Sequence, residues 1–184
     1  MATTAKQFVA QAQSWLGINE TSGGHKEIIN LYNSRRWRGC GFKMKYSGEW
    51  CAAFISACAI KTKSMDIVPI DCHCNHIIKK AKKKGIWIEN EATTPKVGDL
   101  VLYEWQDSGK GNNTSPADHI GVVETVDAIG KTFVVIEGNY KQSVKRRKLK
   151  FNARYLRGFV RPRYQTTVKK KPLNKIKSKI KSKK

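Results

Sequence analysis

Long apolar segments are missing from this sequence of 184 residues. No apolar run approaches the roughly 20 residues that a membrane-spanning helix needs, and the first residues contain no apolar core of a signal peptide. We therefore expect a protein made in the cytoplasm, without a signal peptide or a membrane span. The length suits one domain with a proper hydrophobic core.

Acidic residues are also scarce. Asp and Glu total 14 against 36 Lys and Arg, so the formal net charge is +22. Such a charge favours polyanionic surroundings, namely nucleic acid, an anionic membrane, or a bacterial wall with its phosphate polymers and carboxylates. The body of the chain has no zinc finger and no aromatic RNP-like strand, so specific nucleic-acid recognition is not expected. A basic nucleic-acid-binding protein and a membrane-active cationic protein with a non-catalytic body are the alternatives to an enzyme.

The cysteine pattern does not indicate a disulfide framework. Five cysteines are an odd number, and they lie mostly in apolar or helical segments, which favours reduced thiols. A zinc site around Cys72, His73, Cys74 and His76 is not expected, because no second ligand pair lies elsewhere at structural-zinc spacing. On a helix Cys72 and Cys74 also point about 200° apart. We expect no metal, and Cys74 is predicted to face the core with its helical neighbours.

Hydrophobic periodicity divides the chain into a helical half and a strand half. An α+β domain follows, with N-terminal helices packed on an antiparallel sheet of about five strands. The predicted helices span residues 5–16, a short segment near 28–32, a segment that starts close to Cys51, and 72–84. The predicted strands span 98–105, 119–126, 132–138, 143–151 and 158–161.

The last residues differ in composition from the rest. Residues 167–184 are mostly Lys and have too little apolar surface to fold alone, so we expect a domain over 1–166 and a disordered cationic tail over 167–184. The tail is expected to hold the protein near anionic wall polymers or an anionic membrane. Leu173, Ile176 and Ile180 would give a short helix there a narrow apolar stripe.

Cys51 begins the most apolar helical segment. A helix N-terminus presents unpaired backbone N–H groups and the positive end of the macrodipole, and both favour a thiolate. Ser47 is the predicted N-cap. Taken alone, this pattern fits a small core residue as well as a nucleophile.

Two later strands supply partners for Cys51. One opens on His119, and another ends in Glu137-Gly138-Asn139, so the chain order suits a nucleophile, its general base and an orienting group. Strand alternation places Glu137 and Asn139 on one face, and both can then reach the same site. His119 shares its face with Gly121, which is small enough to let another element approach closely.

Two loops are predicted to border this site. The basic loop 35–45 leads to Cys51, and the Gly-, Asn- and Ser-rich loop 106–117 precedes His119. An irregular cationic surface is an equally good interpretation of the first loop. His25 lies alone at the junction of a loop and a helix, and we expect it to be a solvated surface residue rather than a substrate contact.

Five segments together resemble the CHAP family, the cysteine, histidine-dependent amidohydrolases/peptidases, and in particular its short members in bacteriophage lysins. No single segment is specific, but the combination is, and it covers roughly residues 5–164. The segments are Glu49-Trp50-Cys51-Ala52-Ala53-Phe54, Val97-Gly98-Asp99-Leu100-Val101, Asp118-His119-Ile120-Gly121-Val122-Val123, Ile136-Glu137-Gly138-Asn139 and Arg157-Gly158-Phe159-Val160-Arg161-Pro162.

The resemblance implies a papain-like fold with Cys51 as nucleophile, His119 as general base and acid, and Glu137 or Asn139 orienting His119. It implies peptidoglycan as the substrate, cut as an N-acetylmuramoyl-L-alanine amidase or as a stem-peptide or cross-bridge endopeptidase. An endolysin of this kind acts on the wall after release, without a cofactor. We also expect a monomer in which Trp50 and Trp105 contact the substrate.

The sequence departs from papain-like enzymes at one point. These often use a Gln shortly before the nucleophile to bind the oxyanion, whereas Glu49 and Trp50 precede Cys51 here. The backbone N–H of Cys51 is therefore the one oxyanion donor that we name. The Asp-rich calcium loop of some relatives has no counterpart in the chain.

Overall fold

The computed structural model describes residues 3–35, 41–110 and 113–166 of the chain. Four helices come first and six strands follow, and none of the described helices is long and apolar enough to cross a membrane. The helices are α1 (Ala5–Gln13), α2 (His25–Asn33), α3 (Cys51–Lys61) and α4 (Cys74–Lys83). The strands are β1 (Trp87–Ile88), β2 (Leu100–Tyr103), β3 (His119–Asp127), β4 (Thr132–Tyr140), β5 (Ser143–Lys150) and β6 (Leu156–Val160).

The strands form one antiparallel sheet in the order β1-β6-β2-β3-β4-β5. The predicted α+β class, with helices first and an antiparallel sheet second, is confirmed. The strand count was one too low because β1 has only two residues, too few to give a period. Residues 167–184, the predicted tail, and residues 36–40 of the basic loop lie outside the described part of the chain.

Helix α3 is the central helix. All of its residues except Lys61 are buried, as an apolar sequence without a polar face requires. It packs on one face of the sheet, against side chains such as Ile120 and Ile136. Gly138 makes close approach possible, because a Cβ there would collide with the side chain of Phe54. This contact brings the start of α3 to the end of β4.

The predicted N-cap of α3 is wrong. Trp50 takes that position, its carbonyl accepts the first helical bond from the N–H of Phe54, and no side chain caps the helix. Ser47 lies earlier, in a turn closed by the N–H of Gly48 donating to the carbonyl of Lys45. The buried Trp50 side chain instead donates its Nε1–H to Glu20, at 2.9 Å.

Two further expectations are wrong, namely the exposure of His25 and the reduced state of all the cysteines. His25 is buried, with 5% of its surface exposed, because its Nε2 bonds the carbonyl of Tyr46 at 3.1 Å and its ring lies 5.9 Å from that of Trp50. Cys72 is disulfide-bonded, whereas Cys51, Cys58 and Cys74 are free thiols. The core-facing stripe of α4 is confirmed, since its buried residues are Cys74, Ile77, Ile78 and Ala81.

The opposite face of the sheet carries a second, smaller core. It includes Val101, Tyr103, Val123, Phe133 and Val135. Burial on both faces explains why the middle of β3 is apolar without interruption.

Gly121 should tolerate no side chain. A Cβ at this position would lie 2.7 Å from Cγ of Glu137 and 3.0 Å from the carbonyl oxygen of Ile136. We predict that Gly121→Ala lowers the free energy of unfolding by about 1–3 kcal/mol through overpacking, as measured by urea denaturation.

Gly24→Ala is the matched control for this substitution. A Cβ there would meet nothing closer than 3.4 Å, so the free energy of unfolding should change by less than about 1 kcal/mol. Equal effects of the two substitutions would contradict the close approach of β3 and β4 at Gly121.

Candidate active site

Cys51 lies at the start of α3 and lines a cleft. The thiol is 3% exposed, and the backbone N–H of Ala52 in the first helical turn hydrogen-bonds to it. The cleft has a volume of about 370 Å³ and carries carboxylates on two sides. Its lining residues are Glu49, Cys51, Cys72, His73, Cys74, Asn75, Pro116, Ala117 and Asp118.

Of the two loops that were predicted to border the site, the one before His119 lines the cleft, and the described part of the basic loop lines a neighbouring cavity. Pro116 and Ala117 belong to the loop before His119. Residues 42–45 of the basic loop line an adjoining cavity of about 320 Å³, which shares Glu49 and His73 with the cleft. The two cavities together extend on both sides of Glu49.

His119 and Glu137 form a hydrogen-bonded pair beside Cys51. Nε2 of His119 lies 3.1 Å from Oε2 of Glu137, and 9% of the surface of His119 is exposed. Strand pairing explains the meeting, because Gly121 lies opposite Glu137 and His119 is two residues away on the same face of β3. Since Nε2 is engaged by Glu137, Nδ1 is the ring nitrogen left for the thiol of Cys51.

The Glu137 carboxylate is fully buried and receives hydrogen bonds from three side chains. The Tyr103 hydroxyl donates to Oε1 at 2.6 Å. Arg147 donates from Nε to Oε1 at 2.9 Å and from Nη2 to Oε2 at 3.0 Å. With the bond from His119, both oxygens are satisfied, and the positive charge of Arg147 compensates the buried negative charge.

Asn139 is hydrogen-bonded to Glu49, whereas His119 is hydrogen-bonded to Glu137. The pairing of β4 with β5 shifts between Glu137 and Tyr140, and Asn139 has a positive φ of 59°. This irregularity breaks the alternation on which the shared face of Glu137 and Asn139 depended. The Asn139 side chain donates from Nδ2 to Oε2 of Glu49 at 2.7 Å, so it supports the wall of the cleft.

The ionisation of Cys51 and His119 favours a thiolate and an imidazolium. The pKa of Cys51 is held well below its ordinary value, first by the hydrogen bond with Cys74 and then by His119 and the backbone of Ala52, which outweigh burial. Burial lowers the pKa of His119, but hydrogen bonds and charges of Cys51 and Glu137 raise it from 6.5 to about 9. At neutral pH the pair is therefore charged.

Glu137 keeps its negative charge in spite of burial. Burial raises its pKa, but the hydrogen bonds and positive charges of His119 and Arg147 outweigh this effect and lower the pKa below 4.5. Burial and the neighbouring Glu137 raise the pKa of Tyr103 well above 10, so its hydroxyl stays a donor. Glu137 can thus orient the imidazolium and stabilise its charge.

A second free thiol touches the nucleophile. Sγ of Cys74, the first residue of α4, lies 3.9 Å from Sγ of Cys51. The hydrogen bond with Cys51 and burial raise the pKa of Cys74 well above 9, so Cys74 keeps its proton and is the donor to the thiolate. No sequence pattern predicts this contact, because it depends on how the two helix starts meet.

The two tryptophans expected at the substrate differ in exposure. Trp50 has no exposed surface, so its side chain is not available to a substrate in this conformation. Trp105 is 38% exposed, stacks on Tyr103 with ring centroids 5.0 Å apart, and lies 5.9 Å from the ring of His119. Substrate contact stays a prediction for Trp105.

The chain was compared with models of known protein families, and one family model covers the site residues. The model of the CHAP domain family matches residues 41–139, which is more than half of the chain, and the chain belongs to this family. The match includes Cys51, His119, Glu137 and Asn139. No curated protein and no solved structure matched the chain. Among the described residues no group of three or more His, Cys, Asp or Glu side chains could hold a metal ion.

The thiolate state of Cys51 predicts its reactivity. Iodoacetamide should alkylate Cys51 at pH values well below about 8.5, the ordinary thiol pKa, because the thiolate persists there. His119→Asn removes the imidazolium and should move the pH midpoint of alkylation upward. Peptide mass spectrometry at a series of pH values measures this midpoint.

Cys58 is the internal control for alkylation. It is fully buried, and burial raises its pKa well above 9, so it should stay unmodified in the folded protein. A midpoint for Cys51 at or above the ordinary value in the wild-type protein would contradict the charged pair.

Proposed function

We propose that this CHAP-family chain is a peptidoglycan hydrolase that cuts an amide bond through an acyl thioester on Cys51. The observation that carries the proposal is the bonded arrangement of Cys51, His119 and Glu137 at the start of a buried helix, open to a cleft. Family membership supports amide or peptide hydrolysis by a cysteine and a histidine. The choice of peptidoglycan, and of a lysin role, rests on the resemblance and on charge.

In the first half of the reaction the Cys51 thiolate attacks the amide carbonyl carbon. The oxyanion that develops accepts a hydrogen bond from the backbone N–H of Cys51, where the helix macrodipole also stabilises negative charge. His119, held as an imidazolium, donates its Nδ1 proton to the leaving amine. The C–N bond breaks and the acyl group stays on Cys51 as a thioester.

In the second half a water molecule replaces the amine. His119, now neutral, takes a proton from this water, and the resulting hydroxide attacks the thioester carbonyl. The C–S bond breaks, Cys51 returns as a thiolate, and His119 is again an imidazolium. Glu137 holds Nε2 throughout, so the working nitrogen stays directed at Cys51.

The charge distribution supports an anionic wall as the place of action. Strand β5 carries exposed basic residues, among them Lys145, Lys148 and Lys150, at one edge of the sheet. Phosphate-bearing wall polymers would concentrate such a protein, and salt would weaken the effect. We propose the same role for the Lys-rich residues 167–184. Deleting them should slow wall lysis at low salt more than at high salt.

The direct test is loss of turbidity of purified Gram-positive cell walls. Wild-type protein should clear the suspension, and Cys51→Ala should slow clearing by about a thousandfold or more, because the nucleophile is lost. Mass analysis of the released fragments then identifies the bond, at the muramoyl-L-alanine amide or within the stem peptide or cross-bridge.

Cys58→Ala is the matched control for the clearing assay. It removes a free thiol that is 0% exposed and lies two helical turns beyond Cys51, and it should keep clearing activity if the protein stays folded. Equal clearing by wild type and Cys51→Ala would overturn the cysteine mechanism and attribute lysis to the net charge.

Arg147 should determine the pH range of activity. Removing its charge in Arg147→Gln raises the pKa of the buried Glu137, so Glu137 takes up a proton at a higher pH on acidification. We predict that kcat falls roughly tenfold or more and that the acidic limb of the pH profile moves to higher pH.

Arg146→Gln is the control for Arg147→Gln. Arg146 is the adjacent residue and also pairs with a glutamate, but its partner is Glu124. Its loss should leave the pH profile unchanged. An increase in KM alone for Arg147→Gln, with kcat and pH profile unchanged, would assign Arg147 to substrate binding.

A further inference from the structure

The contact between Cys51 and Cys74 has no role in the proposed hydrolysis beyond tuning the thiolate. The two sulfur atoms are 3.9 Å apart, and both residues are free cysteines. They are 3% and 5% exposed, yet both line the cleft, so a small reagent that enters the cleft reaches them. The contact joins the first residue of α3 to the first residue of α4.

We propose that Cys51 and Cys74 form a site of reversible oxidation, in which a peroxide oxidises Cys51 and Cys74 then closes a Cys51–Cys74 disulfide. The disulfide blocks the nucleophile and protects it from irreversible oxidation. Formation of this disulfide needs the two thiols and a peroxide. The proposal is therefore independent of which amide Cys51 attacks.

The chemistry balances with a peroxide as the oxidant. The Cys51 thiolate attacks one oxygen of hydrogen peroxide, the O–O bond breaks, and hydroxide leaves, which gives a sulfenic acid on Cys51. The Cys74 sulfur then attacks Sγ of Cys51, the S–S bond forms and the S–O bond breaks. The leaving hydroxide takes the proton of Cys74 as water. Two thiols lose two electrons in total, and one peroxide becomes two waters.

The order of the two steps follows from the chemistry of each thiol. Cys51 is the thiolate, and thiolates are the nucleophiles that peroxides oxidise, whereas Cys74 keeps its proton and acts second. The imidazolium of His119 lies beside Cys51 and can protonate the leaving hydroxide.

The geometry favours Cys74 over the other cysteines as the resolving thiol. An S–S bond is about 2.05 Å long, so the two sulfur atoms, now 3.9 Å apart, must approach by roughly 2 Å. Cys72 is already disulfide-bonded, and Cys58 is fully buried in the core. Cys74 is therefore the free thiol placed to react with an oxidised Cys51.

Mass spectrometry after peroxide treatment tests the proposal without reference to hydrolysis. The full-length protein is exposed to increasing hydrogen peroxide, alkylated and digested with trypsin. Fragments 46–61 and 64–79 should be joined, and tandem spectra must place the link at Cys51 and Cys74, since these fragments also contain Cys58 and Cys72. Dithiothreitol should restore alkylation of Cys51 almost completely.

Cys74→Ser is the matched variant. It is compared with wild type at equal extents of Cys51 oxidation, so that a different rate of reaction with peroxide does not affect the comparison. In this variant Cys51 should proceed to sulfinic and sulfonic acid, which dithiothreitol does not reverse. Cys58→Ser should behave like wild type. Equal proportions of sulfinic acid in wild type and Cys74→Ser would overturn the proposal. A disulfide from Cys51 to a cysteine other than Cys74 would also overturn it. Circular dichroism confirms that each variant is folded.

Discussion

The hydrogen bond between the buried Glu137 and His119 is the interaction on which the rest of the candidate site depends. A buried carboxylate is costly unless its charge is compensated and its oxygens are bonded. Arg147 compensates the charge, and Arg147, Tyr103 and His119 together bond the carboxylate oxygens. Because Glu137 holds one ring nitrogen, the other is directed at Cys51. Gly121 is part of the same arrangement, since any side chain there would displace Glu137.

The helix start is the second requirement, and it acts on the sulfur. Cys51 lies where backbone N–H groups and the macrodipole favour negative charge, and Gly138 lets β4 come close enough to hold that position. Cys74, the first residue of α4, contacts the nucleophile at the same helix start. A thiolate with a second thiol in contact is well suited to attack a carbonyl, and it is also susceptible to oxidation.

Much of this arrangement could be predicted from residues that are close in sequence. The apolar segment after Cys51, the strand opening on His119 and the strand ending near Glu137 gave the α+β class and the order of the site residues. The family match then confirmed the resemblance to the CHAP family. These features could be predicted because helix and strand periods are local properties of the chain.

The features that sequence reasoning missed depend on tertiary register. A shift in the pairing of β4 with β5 turns Asn139 to Glu49 and leaves Glu137 with His119. Arg147 reaches Glu137 only because β5 pairs with β4 in one register. His25 was expected at the surface and Trp50 at the substrate, yet both side chains are buried, with their rings 5.9 Å apart.

The central claim is that Glu137, through His119, makes Cys51 a nucleophile. The most direct measurement compares the hydrolysis rates of Glu137→Gln and Asn139→Gly on the same cell walls. Glu137→Gln keeps the shape and removes the charge, while Asn139→Gly removes the amide and tolerates the positive φ. We expect Glu137→Gln to lose about a hundredfold or more in kcat and Asn139→Gly to stay within a few-fold of wild type. A large loss in Asn139→Gly with near-normal activity in Glu137→Gln would contradict the account.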